Sequence, residues 1–399
     1  MSVILLMVIY LVFISLGLPD SFLGACWPSI STSLGVNESL QGACTITCSV
    51  FTILSTFASP YLQKKFSTFK TVSISISLTI LGIVGSFLSP NLILLVISMI
   101  PLGMGAGGID STLNNYVANN YKASQLHFLH GCWSLGAILS PIISSFFLVN
   151  PEGWRNSLFV LAITQALILI ITLCSYPLWN KNKELERTND QENKEYNITF
   201  FQTFRIKGAL MIILSFFFLT GIEYLLISWF SSTLVFAKGV NEQVAAGYAT
   251  MIYVGYTISR FLSGLISKKL SDKNIIRLFS VFLVCSIIFF IFIKWEPLYQ
   301  LAALLFGFSV GPIYPAIVHD TPNKFTKGLS SYVMAIQIGC AYIAMITISP
   351  LFGILGEFIS FDLYPFILLG LTLLMIVTSE ISNIQTKDKT KSLILEKGK

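Results

Sequence analysis

The strongest constraint on this chain is a series of apolar stretches, each long enough to cross a bilayer, running from one end of the sequence to the other. A helical crossing needs about 20 mostly apolar residues. Twelve stretches approach or exceed that length: 4–30, 41–62, 71–89, 92–120, 125–149, 155–178, 208–236, 243–266, 278–294, 297–319, 330–353 and 363–383. In lipid every backbone N–H and C=O must be satisfied within the protein, which leaves helices or closed barrels. Barrel strands are short and alternate in polarity, and these runs do neither. An all-α integral membrane fold with twelve transmembrane helices follows. Composition agrees: 54% of the 399 residues are hydrophobic and 11% charged, where a soluble domain is about 25% charged.

The net charge of +6 is a topology signal, because the Lys and Arg residues gather in the connections. With both termini cytoplasmic, every base except Arg155, Lys238, Lys294 and Arg260 lies on the cytoplasmic side, and Arg260 is inside a span. A multi-pass protein of the cell (plasma) membrane is expected, embedded in the lipid bilayer, with no nucleic-acid partner. The first run begins at Val3 with no base before it and reaches about Ile30 without a cleavage site, so it reads as a retained span. All seven Cys sit in apolar runs without a Cys-x-x-Cys pair. No disulfide framework, metal site or cofactor is expected.

The connection at 179–207 is rich in Lys, Glu, Asn and Asp. It reads as a cytoplasmic linker between six-helix bundles at 1–178 and 208–385, with a mobile cytoplasmic tail at 386–399. The halves also echo each other. A shift of 204 carries Gly103 to Gly307, Gly107 to Gly311, and the Ser59–Lys65 segment to Ser263–Lys269; a shift of 203 carries Asp20 to Glu223. Two pseudo-symmetric six-helix bundles are expected, with a midplane substrate site between them reached by alternating access.

Within the fourth stretch, 103–117 reads Gly-Met-Gly-Ala-Gly-Gly-Ile-Asp-Ser-Thr-Leu-Asn-Asn-Tyr-Val. Gly103, Gly107, Asp110 and Asn114 share one helix face. A carboxylate at membrane depth marks a functional site by default, the plain alternative being an Asp bonded to a neighbouring helix. The Gly-x-Gly-x-x-Gly spacing is not a nucleotide fingerprint, since no strand precedes it. In a membrane helix such glycines let a neighbouring backbone approach. No Gly-x-x-x-x-Gly-Lys-Ser/Thr loop is present, which argues against ATP as the energy source.

Twelve spans in two repeated halves around a charged linker resemble the major facilitator superfamily. Three motifs resemble its fucose permease-like branch of proton-coupled sugar carriers: Gly17-Leu-Pro-Asp-Ser-Phe-Leu-Gly24, the Asp110/Asn114 stretch, and Leu126-His-Phe-Leu-His-Gly-Cys-Trp-Ser-Leu-Gly-Ala137. The resemblance implies that Asp20 and Asp110 handle proton coupling and sugar hydroxyls, and that Asn114 and His130 face the cavity. One departure stands out. The superfamily's Gly-x-x-x-Asp-Arg loop after the second span is here Pro60-Tyr-Leu-Gln-Lys64, with Lys in place of Asp, and Gly264 to Lys268 lacks the Asp as well.

The remaining candidates carry two readings each. Asp20 and Trp27, seven residues apart, suit a sugar's hydroxyls and C–H face; alternatively they are a bonded structural Asp and an interfacial aromatic. The unperturbed pKa of an imidazole suits His130 to a proton relay; alternatively it is a satisfied core residue. Glu223, with Trp229 six residues on, binds substrate, closes an outer gate or is paired internally. Tyr256, Tyr314 and Gln337 offer hydroxyl, stacking and amide contacts or simply pack. Arg260 reads as a structural or gating partner of a carboxylate. No catalytic pairing of His with Asp or Glu appears, so an enzyme is not expected. The expected function is secondary active, proton-coupled transport of a sugar or similar small polar solute by a monomer. The alternative is proton-antiport efflux of a hydrophobic or cationic compound.

Overall fold

The computed structural model describes residues 3–37, 40–148, 152–179 and 200–397. Most of the expected linker, 180–199, lies outside them. The elements are helical throughout, with no strand among the described residues. They are α1 (Val3–Leu34), α2 (Gln41–Phe87), α3 (Leu92–Asn120), α4 (Ala123–Ser145), α5 (Gly153–Cys174), α6 (Ala209–Lys238), α7 (Glu242–Ile266), α8 (Asp272–Phe292), α9 (Leu298–Val310), α10 (Ile313–Lys324), α11 (Lys327–Phe358) and α12 (Tyr364–Lys397). A short helical turn covers 176–179. Each of the twelve expected spans is helical, the second and third sharing α2 and the tenth divided between α9 and α10. Among the described residues ten helical stretches are long and apolar enough to cross a membrane.

Three boundaries differ from expectation, each for a local reason. The loop expected near 62–71 is a single kink: α2 runs through both spans, and only Ser67 leaves helical geometry (φ 71°, ψ 158°). Lys64-Lys-Phe-Ser-Thr-Phe-Lys70 contains no Gly or Pro, so the chain turns at one residue in a backbone region otherwise left to glycine. Conversely, the tenth span is broken into α9 and α10 at Gly311–Pro312, where proline has no N–H to continue the ladder. The end of the chain, expected as a tail from 386, continues α12 as far as Lys397.

Contacts divide the chain into two compact units, Met1–Asn120 with Leu129–Lys194, and Tyr121–Phe128 with Glu195–Lys399. The first residues of α4 thus group with the second unit rather than with 1–178. The repeat is visible inside each unit. A Cβ on Gly103 would meet the Cys48 carbonyl oxygen, and one on Gly107 the Thr52 carbonyl oxygen. In the other unit a Cβ on Gly307 would meet the Ile252 carbonyl oxygen, and one on Gly311 would lie 3.1 Å from that of Tyr256. The shift of 204 that relates the glycines also relates Cys48 to Ile252 and Thr52 to Tyr256. The same backbone-to-backbone approach is therefore built twice, as small residues permit between membrane helices.

Candidate transport site

In the first unit, α3 places Asp110 and Asn114 one turn apart, and α4 brings His130 to them. Asp110 is 7% exposed, Asn114 is fully buried and His130 is 5% exposed. Asn114 Nδ2 donates to Asp110 Oδ1 at 2.7 Å and to the Asp110 carbonyl at 3.0 Å. Asn114 Oδ1 lies 2.9 Å from His130 Nε2. Because the amide nitrogen is committed to Asp110, the amide oxygen is the acceptor and His130 Nε2–H the donor. The ring is held edge-on to Phe13, 5.7 Å between centroids. The result is a buried polar chain, carboxylate to amide to imidazole, across two helices. Such a network is high-stakes: satisfied, it fixes geometry, and a change in protonation at either end alters every bond in it.

Asp20 on α1 is exposed, and its partner is Trp133 of α4, whose Nε1 donates to Oδ2 at 2.8 Å. Trp27, expected beside Asp20 as a stacking surface, is instead 3% exposed in an apolar cluster with Phe22, Ile30 and Trp154. Helix α1 turns that side chain into the packing of its own unit, so Trp133 is the aromatic at the carboxylate. Trp133 was visible in the α4 motif, but its partner is 113 residues away, beyond the reach of helix periodicity.

In the second unit, Arg260 (α7) and Glu223 (α6) are 4% and 7% exposed. Arg260 Nη2 stands 3.9 Å from Glu223 Oε1. The guanidinium also lies 4.8 Å from the centre of the Tyr256 ring, and its Nε reaches the Gly311 carbonyl at 3.4 Å. Gly311 is the residue at which the α9–α10 span breaks, so the cation binds where helical bonding is interrupted. Tyr314 follows on α10, half-buried, its ring 4.5 Å from that of Phe216. Gln337 (α11) is fully buried; its Oε1 accepts from Thr321 Oγ1 at 2.9 Å, while its Nε2 has no hydrogen-bond partner among the described residues. Trp229 donates to the Ser349 carbonyl at 2.8 Å and packs against Gly353, which makes it a brace between α6 and α11.

Other buried charges are not marked by the sequence pattern. His319 Nδ1 lies 2.7 Å from Asp272 Oδ2, and Lys324 Nζ lies 2.7 Å from Asp320 Oδ2. Lys324, counted above with the bases of a cytoplasmic connection, is 1% exposed. Helix α10 extends through this polar segment, and its i, i+4 spacing pairs Asp320 with Lys324 on one face.

The family model of the Major Facilitator Superfamily matches residues 9–346. The glucose/mannose transporter GlcP of Bacillus subtilis is 24% identical over 271 residues, 64% of this chain and 64% of that transporter's own length. Among solved structures, the Escherichia coli fucose:proton symporter FucP superposes with a TM-score of 0.72 at 15% identity, covering 95% of this chain and 98% of its own. The proton:xylose symporter XylE gives 0.76 at 16% identity, with 94% of each chain covered. At these identities the two structures establish the fold.

Proposed function

The chain belongs to the Major Facilitator Superfamily, and from that premise we propose that it is a proton-coupled secondary transporter of a sugar or similar small polar solute. It works as a monomer in the cell membrane, with both termini cytoplasmic and six-helix bundles at 1–178 and 208–385. The observation that carries the reading is the Asp110–Asn114–His130 chain. A carboxylate buried among glycines and apolar helices has little reason to persist as packing, and it becomes useful when its protonation is coupled to a cycle. Asp110 takes up the proton. Asn114 transmits the change to His130, because an amide bonded to both cannot satisfy both arrangements equally. Asp20, exposed and steadied by Trp133, offers an acceptor for solute hydroxyls beside a flat ring. Glu223, Tyr256 and Arg260 form the corresponding polar cluster of the second unit. The relatives support a sugar as cargo: one is a glucose/mannose transporter, and two structures of the same fold are of sugar:proton symporters.

The test uses purified full-length protein in proteoliposomes under an imposed pH gradient, with labelled glucose, mannose, fucose and xylose. Asp110→Asn is expected to abolish gradient-driven accumulation while retaining exchange of solute down its own gradient. Undiminished accumulation by that variant sinks the proposal. Proton flux driven by lipophilic cations and by none of the sugars assigns efflux instead.

A further inference from the structure

The kink of α2 borders a cavity of about 430 Å³ within the first unit, lined by 63–70, Tyr116, Tyr176 and Trp179. That volume falls in the ~300–1,000 Å³ range of small-ligand sites. Among the described lining residues three are cationic, Lys64, Lys65 and Lys70, and none is acidic. The floor is aromatic: Trp179 packs at 5.1 Å from Tyr116 and 6.2 Å from Phe69, and Phe69 at 5.0 Å from Tyr176. Trp179 and Tyr116 are each 6% exposed, and the Trp179 indole is anchored on Ser175 Oγ at 3.0 Å. Orientation bias accounts for lysines in this connection, but not for their convergence on one aromatic-floored hollow. Ordinary interfacial aromatics face headgroups, whereas these face one another. The second segment of α2 starts at the cavity, immediately after Ser67, and a helix start favours an anion. Gln63 is held in the wall by Ser59 and Asn115, at 2.8 and 3.1 Å, so the site is built on fixed elements.

We propose that this cavity binds a phosphate ester, the lysines holding the phosphoryl oxygens and the aromatic floor taking the carbon skeleton. A carboxylate at position 64, as the family's usual loop pattern would have it, would repel such a ligand; Lys64 attracts it. The same chemistry is presented by a lipid headgroup and by a soluble phosphate ester.

The experiment titrates the purified full-length protein in neutral detergent with two probes, glycerol 3-phosphate and short-chain phosphatidylglycerol, with short-chain phosphatidylcholine as reference. Binding is read by tryptophan fluorescence and by thermophoresis. At least one anionic probe should bind saturably. Charge-assisted bonds to the phosphoryl oxygens are lost in Lys64→Gln/Lys65→Gln/Lys70→Gln, which should weaken binding by about tenfold or more. Thr68→Phe fills the cavity, keeps every charge and should weaken binding comparably, which guards against misinsertion of the triple variant. Lys268→Gln/Lys269→Gln, in the other basic connection, should bind as wild type. Binding of glycerol 3-phosphate identifies a soluble ligand, and binding of phosphatidylglycerol alone identifies the lipid. The proposal is overturned if neither anionic probe binds, if phosphatidylcholine binds equally well, if Thr68→Phe binds as wild type, or if the control pair loses as much as the triple variant. None of these outcomes depends on which solute is transported.

Discussion

Removing both partners of the Glu223–Arg260 pair should destabilise the second unit by clearly less than the sum of the two single losses. The charges are separated by 3.9 Å, with side chains 10% and 5% exposed. At an effective dielectric of about 20, unit charges at that distance attract by about 4 kcal/mol. Breaking a buried pair from one side typically costs about 3–5 kcal/mol, because the other charge is stranded. Glu223→Gln belongs at the lower end, since Arg260 keeps the Gly311 carbonyl at 3.4 Å and the Tyr256 ring face at 4.8 Å. Arg260→Met belongs at the upper end, because Glu223 then keeps only the uncharged Tyr256 side chain as a hydrogen-bonding neighbour. The double variant should then recover about 2–3 kcal/mol relative to the sum of the two losses. Reversible unfolding in mixed detergent micelles gives the three values and closes the cycle. Strictly additive losses would show that the two charges do not feel each other, and would remove Arg260 as the partner that holds Glu223.

Four further substitutions probe the frame. Gly103→Ala and Gly307→Ala should each cost about 1–3 kcal/mol, because the added carbon meets a backbone carbonyl that cannot rotate away. Gly370→Ala, with nothing within 4 Å, should be neutral or slightly stabilising; equal loss at all three positions in thermal unfolding would refute the close-approach argument. Ser67→Gly should raise the melting temperature, because the φ 71°, ψ 158° backbone costs a side-chain-bearing residue about 1–3 kcal/mol, more than the ~0.5–1 kcal/mol that glycine's flexibility takes back. An unchanged or lower melting temperature would mean that Ser67 is unstrained.

The spans were legible because bilayer thickness converts directly into run length, and no tertiary partner can revise that count. Turns were less legible. Nothing in Lys64-Lys-Phe-Ser-Thr-Phe-Lys70 announces that one serine will carry the whole reversal, whereas Gly311–Pro312 does announce a break, inside a run long enough to cross as one helix. Asp110 and Asn114 could be joined from sequence because four residues on a helix are neighbours. His130 could be joined to them only through resemblance, and Trp133 not at all, because their contacts cross from one helix to another. Trp27 failed for the complementary reason: seven residues places it on the face of Asp20, but a long helix dips one end of that face into apolar packing. The Asp272–His319 and Asp320–Lys324 pairs stayed hidden because polar residues near a span end read as solvated until the neighbouring helix covers them.

The duplicated glycine contacts separate what the repeat preserved from what it let go. Carried by the same 204 residues, Asp110 corresponds to Tyr314 and Asn114 to Val318, while Gly103 and Gly107 find glycine again. Where one main chain rests on another, no side chain is admissible and each copy kept the same answer. Where a side chain projects from that scaffold, each copy was free to adopt its own chemistry. The side-chain chemistry of one half can therefore be rewritten, for example at Tyr314, without disturbing the joint that both halves share.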